Sequence, residues 1–135
     1  MTDAEIQVED VFHEEPEGMS GYFKVKGTSG NRLQIVGWAF ADHAAVSAVE
    51  VLAGGKPVAS ATPGTPRPDV AETFPHSPSS LTSGFELEIE ATGSGRSELE
   101  VEAVMSGGDR HSLGTLIVDV SQARGPRLPW RANRA

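Results

Sequence analysis

Two stretches of this chain alternate apolar residues with glutamate, and a helix would scatter both sets around its circumference. Phe85, Leu87 and Ile89 alternate with Glu86, Glu88 and Glu90. Leu99, Val101 and Ala103 alternate in the same way with Glu98, Glu100 and Glu102. A strand sends every second side chain to one face, so each stretch reads as a strand with one oily and one solvated side. That pattern belongs to antiparallel sheets with a single buried face.

The rest of the chain follows the same period. Tyr22 to Lys26 is a short strand closed by Gly27-Thr28-Ser29-Gly30-Asn31. Leu33 and Ile35 alternate with Gln34 and Val36 and lead into Gly37-Trp38-Ala39-Phe40. Val49, Val51 and Ala53 alternate with Glu50 and Leu52. Gly54-Gly55 is a two-residue hairpin turn, because glycine takes positive φ at both positions without strain. The returning strand is Lys56 to Thr62, and a final strand runs from Leu113 to Val120. The expected fold is all-β, an immunoglobulin-like antiparallel β-sandwich of about seven strands. With 135 residues the chain makes one domain, large enough to bury a core without cross-links. It has no cysteine, so disulfides and thiolate metal sites are excluded.

The glutamates carry a topological expectation. Were the strands around Phe85–Glu90 and Glu98–Glu102 hairpin partners, a symmetric register would set three pairs of glutamates opposite one another. Like charges directly opposite are destabilising. In an immunoglobulin-type sandwich the fifth and sixth strands lie in different sheets, which removes the conflict. The alternative is a divalent cation screening a glutamate ladder.

Charge divides the chain into three parts. Residues 1–18 form an acidic extension with a net charge of −7, in which Ile6, Val8, Val11 and Phe12 leave room for a short edge strand. Residues 19–120 are the sandwich domain. Residues 121–135 are an Arg/Pro-rich tail of net charge +4, with Trp130 as its large aromatic residue. The overall charge of −8 disfavours a phosphate backbone as partner, so no nucleic acid is expected. The tail reads as a solvated linker, as an arm folded back on the acidic head, or as a partner-binding arm through Arg127, Trp130 and Arg131. Neither a signal peptide nor an apolar run long enough to span a bilayer is present, so the chain as written is expected in the cytoplasm. A cell-envelope setting applies if it is part of a larger protein.

Residues 63–80 are rich in proline and serine and form a long crossing connection. Within it, Arg67-Pro68-Asp69-Val70-Ala71-Glu72 suits a short helical turn near residues 69–74. Asp69 is placed to cap the turn, and Glu72 three residues on completes a capping box. Val70 and Phe74 then share an apolar face. Arg67 pairs with Asp69 or bonds loop carbonyls. The functional reading makes Arg67 and Asp69 polar ligands for a sugar or peptide. Trp38 invites a carbohydrate-stacking reading, since an indole face suits the apolar side of a pyranose ring, but it lies in an apolar strand, where one central tryptophan is expected to pack between the sheets. Tyr22 and Phe23 are consecutive, so one of them faces out and joins any exposed aromatic platform.

Enzymatic patterns are absent. His13, His43, His76 and His111 are isolated, with no spacing that suggests a metal site. Gly93-Ser94-Gly95 reads as a hairpin turn and not as a phosphate loop, and the acids fall at strand-exposed positions. No catalysis, cofactor or metal is expected.

The pattern Gly37-Trp38-Ala39-Phe40, Val49-Glu50-Val51 with its Gly-Gly turn and Val58, Arg67-Pro68-Asp69-Val70, Phe74-Pro75 and Ser83-Gly84-Phe85 resembles a bacterial immunoglobulin-like β-sandwich. The match covers about residues 20–120. A polar or Asp-Gly hairpin tip is usual where this chain has Gly54-Gly55. The resemblance implies a non-enzymatic accessory module of surface or secreted proteins, or one beside glycosyltransferase-like domains of polysaccharide systems. Two functions follow as expectations. One is glycan recognition through Arg67, Asp69, His76 and the exposed member of Tyr22 and Phe23. The other is protein interaction by a monomer or homodimer, through edge strands or the tail.

Overall fold

The computed structural model of the chain describes residues 3–91 and 93–123. Along the chain lie β1 (Asp3–His13), β2 (Ser20–Ser29), β3 (Arg32–Phe40), β4 (Val46–Ala53), β5 (Lys56–Ala61), helix α1 (Pro68–Thr73), a 3-10 helix (Pro78–Thr82), β6 (Gly84–Glu90), β7 (Gly95–Met105) and β8 (Arg110–Ala123). All ladders are antiparallel. One sheet runs β1-β8-β7-β4-β5 and the other β2-β3-β6. Counted from β2, the first, second and fifth strands make one layer, and the third, fourth, sixth and seventh the other. This is the Greek-key division of an immunoglobulin-like sandwich.

The alternating sequences produce the core directly. Phe23, Leu33 and Ile35 from the small sheet meet Val49, Val51, Val101 and Leu116 from the large one, all fully buried. Burying each such side chain contributes about 1.5–3 kcal/mol. Gly54 and Gly55 turn the β4–β5 hairpin with φ of 59° and 81°. At Gly37 any Cβ would collide with the Tyr22 carbonyl and lie 2.8 Å from the Phe85 ring, so only glycine lets β2 and Phe85 close over this point.

β6 and β7 lie in different sheets, as the glutamates require. Gly93-Ser94-Gly95 therefore belongs to an arch between layers and does not close a hairpin. On the small sheet the glutamates find bases. Lys26 bonds Glu86 at 2.8 Å and Arg32 bonds Glu88 at 3.1 Å. One like-charge confrontation survives on the large sheet, where Glu50 and Glu102 are direct ladder partners. Arg110 resolves it by reaching between them, 2.9 Å from Glu50 Oε1 and 3.1 Å from Glu102 Oε1.

Three expectations need correction. The strand in the acidic head is not a short one: β1 pairs with β8 from Asp3 to His13, and Ile6 enters the core. Trp38 does not pack between the sheets. It alternates with the inward Gly37 and Ala39 and sits half-buried on the outer face of β3. Finally, Asp69 does not cap α1, whose N-cap position is Arg67 and whose first helical residue is Pro68. Among the described residues, no helix is long and apolar enough to cross a membrane.

Candidate functional site

Three aromatic residues of the sequence pattern, Trp38, Phe40 and Phe74, converge on the outer face of the β2-β3-β6 sheet, while Phe85 packs in the core. Trp38 and Phe40, two apart on β3, stack with centroids 5.8 Å apart. Phe74, just past the end of α1, packs against both, at 5.6 Å from Trp38 and 5.1 Å edge-on to Phe40. The crossover thus straps the outside of the small sheet and does not cover the space between the sheets.

Polar residues of the same pattern fasten the strap. Arg67 grips Asp69 at two points, Nε to Oδ1 at 2.9 Å and Nη2 to Oδ2 at 2.7 Å. Its remaining Nη1 leans on the Gly37 carbonyl at 3.4 Å, and its aliphatic stem passes over Gly84, where a Cβ would meet Arg67 Cγ at 2.9 Å. The guanidinium hydrogen bonds hold the Asp69 carboxyl down at about 2, well below its ordinary value. A slight loss of solvent opposes this, while the Arg67 charge and nearby backbone N–H groups reinforce it. The backbone of Gly84 exchanges hydrogen bonds with Thr65. Buried Ser83 donates to the Ser80 carbonyl at 2.6 Å, and buried Ser80 donates to that of Phe74 at 3.3 Å. Arg67 and Asp69 are therefore used in holding the fold.

What the strap leaves open is a groove of about 330 Å3 lined by Glu15, Met19, Ser20, Gly21, Trp38 and Phe74. Tyr22 flanks it as the ladder partner of Trp38. Tyr22 is 43% exposed, with its ring stacked on His13 at 4.6 Å and 14°. His13 is held by donating from Nε2 to the Phe23 carbonyl at 2.8 Å. The face thus carries aromatic surface of fixed orientation beside an exposed carboxylate and a hydroxyl.

Of the residues expected to bind ligand, none lines this groove, and Tyr22 is the nearest in the ladder, paired with the lining residue Trp38. Phe23 is fully buried in the core and cannot form part of a platform. His76 is exposed between α1 and the 3-10 helix and does not line the groove. Arg127, Trp130 and Arg131 lie outside the described residues. Glu15, Ser20 and Phe74 were not anticipated as ligand contacts. Parity was the available signal for Trp38: counting by twos from Leu33 sends it outward. A second, larger groove of about 430 Å3 lies at the β3–β4 loop beside Asp42, His43 and Ser79. Among the described residues, no three His, Cys, Asp or Glu side chains cluster to hold a metal ion.

Sheet edges offer little to a partner strand. β1 is bulged between Val8 and Asp10, carries acids, and bonds the Gly30 carbonyl through the Ile6 N–H at 2.9 Å. β2 is bulged between Val25 and Gly27 and its Phe23 carbonyl is taken by His13. β5 is six residues long and contains Pro57. β6 is bridged by Thr65 at Gly84 and carries three glutamates beyond it. Bulges, proline, charge and covered backbone groups are the features that block strand addition. No family model, no curated protein and no solved structure matches the chain.

Proposed function

We propose that this domain is a non-catalytic recognition module for glycans, binding at the groove beside Trp38, Phe74 and Tyr22. The observation that carries the reading is this set of oriented aromatic rings next to Glu15 and Ser20. Pyranose rings offer an apolar face suited to an aromatic side chain, and hydroxyls suited to a carboxylate or a serine. An accessory role beside enzymes of bacterial surface-polysaccharide synthesis is what the sequence resemblance adds. Blocked sheet edges weigh against edge-strand assembly as the alternative.

The test uses the full chain carrying Trp130→Phe, which leaves Trp38 as its one tryptophan. Titration with neutral hexose and amino-sugar oligosaccharides gives a saturable change in Trp38 fluorescence. Silence across a broad panel of neutral, amino and acidic glycans would overturn the proposal.

A further inference from the structure

A separate cavity opens at the end of the sandwich nearest the β6–β7 arch, away from the aromatic groove. Its volume is about 140 Å3, and its walls are Ile6, Ile89, Leu99, Val118 and Val120 from four strands of both sheets. The sequence explains why it stays unfilled. The arch between the sheets brings Gly93, Ser94 and Gly95, followed by Ser97, none of which supplies an apolar side chain to plug the gap. Val58 forms one lip and is 49% exposed, an apolar side chain left in water at the mouth. The polar residues of the lining are Glu90, Ser94 and Ser97.

We infer that this cavity is a second binding site, taking one neutral apolar group of about benzene size from a ligand whose hydroxyl or ester end rests at the rim. Three observations fix that class. An apolar cavity of about 150 Å3 stays dry and accepts a single benzene, which sets the size. The walls offer no hydrogen-bond partner to a polar group, which sets the polarity of the buried part. Among the described residues, the lining includes no lysine or arginine to pair with an anionic head, which sets the charge. An alkyl chain end and an aromatic ring share this chemistry.

The experiment is a methyl-detected NMR titration of the full chain with n-hexanol, benzyl alcohol and hexanoate. Saturable shifts are expected at Ile6, Ile89, Leu99, Val118 and Val120, with the stronger alcohol distinguishing alkyl from aryl. Hexanoate binds roughly fivefold more weakly than n-hexanol. Ala91→Leu, which places a side chain at the mouth, abolishes the shifts. Val58→Ser, at an exposed position that leaves the fold intact, weakens both alcohols roughly threefold or more. Shifts that grow linearly and spread evenly over the core would overturn the site, as would shifts unchanged in both variants. Hexanoate binding as well as hexanol would overturn the assigned class.

Discussion

Arg67 and Asp69, two residues apart, are locked side to side by a two-point ion pair that also rests on the carbonyl of Gly37 in the neighbouring strand. The folded-state pKa of Asp69 is lowered to about 2. Its contribution to stability is therefore complete above the ordinary carboxylate value near 3.8, and disappears as pH falls through about 2. Carbon-13 titration of the Asp69 carboxyl places its midpoint near 2, and Asp69→Asn flattens the loss of stability between pH 4 and 2. A midpoint near 4 would show that the pair does not form.

Phe74 joins the strap to the sheet through two ring contacts. Its replacement by alanine removes both and uncovers Trp38. Phe74→Ala is expected to cost about 2 kcal/mol in urea unfolding and to red-shift Trp38 emission in the Trp130→Phe background.

Gly37 lies where β2, β3 and Phe85 close together. A methyl group there has backbone on one side and an aromatic ring on the other, and neither yields easily. Gly37→Ala is expected to destabilise by about 3 kcal/mol or more, whereas Gly64→Ala, which meets open space, stays within about 0.5 kcal/mol.

Arg110 neutralises two glutamates that the ladder forces together. Arg110→Ala lowers the melting temperature, and adding Glu102→Gln to that variant restores part of the loss. The two changes are non-additive in a double-mutant cycle. Additivity would mean that Arg110 and Glu102 do not interact.

Tyr22 tests the proposed groove without disturbing the core, since its ring is half outside. Tyr22→Ala reduces oligosaccharide affinity about fivefold and leaves urea stability nearly unchanged. Equal affinity would remove Tyr22 from the binding face.

Much of this architecture is readable from residue spacing. Alternation located six of the strands, and Gly54-Gly55 located a hairpin, because both depend on short-range geometry. The glutamates placed β6 and β7 in different sheets through a simple charge argument. Other features depend on contacts between distant residues. β1 carries so much acid that its apolar residues looked too few, yet β8 supplies a partner along its whole length. Asp69 has the right spacing to cap a helix, but α1 begins at Pro68 and places Asp69 inside its first turn, where the carboxylate pairs with Arg67. Trp38 is large and apolar, and only the strap from residues 68–74 supplies the outer covering that such a ring needs. The groove was illegible for the same reason: Glu15, Trp38 and Phe74 meet across three separate segments.

The guarded rims of both sheets have a consequence for crowding. Molecules of this domain held shoulder to shoulder, at a surface or at high concentration, meet along edges whose described residues are bulged, charged or partly covered, a poor template for zipping into fibrils. Side-chain contacts are therefore the easier way to bring two copies together, and these are open to tuning by single substitutions.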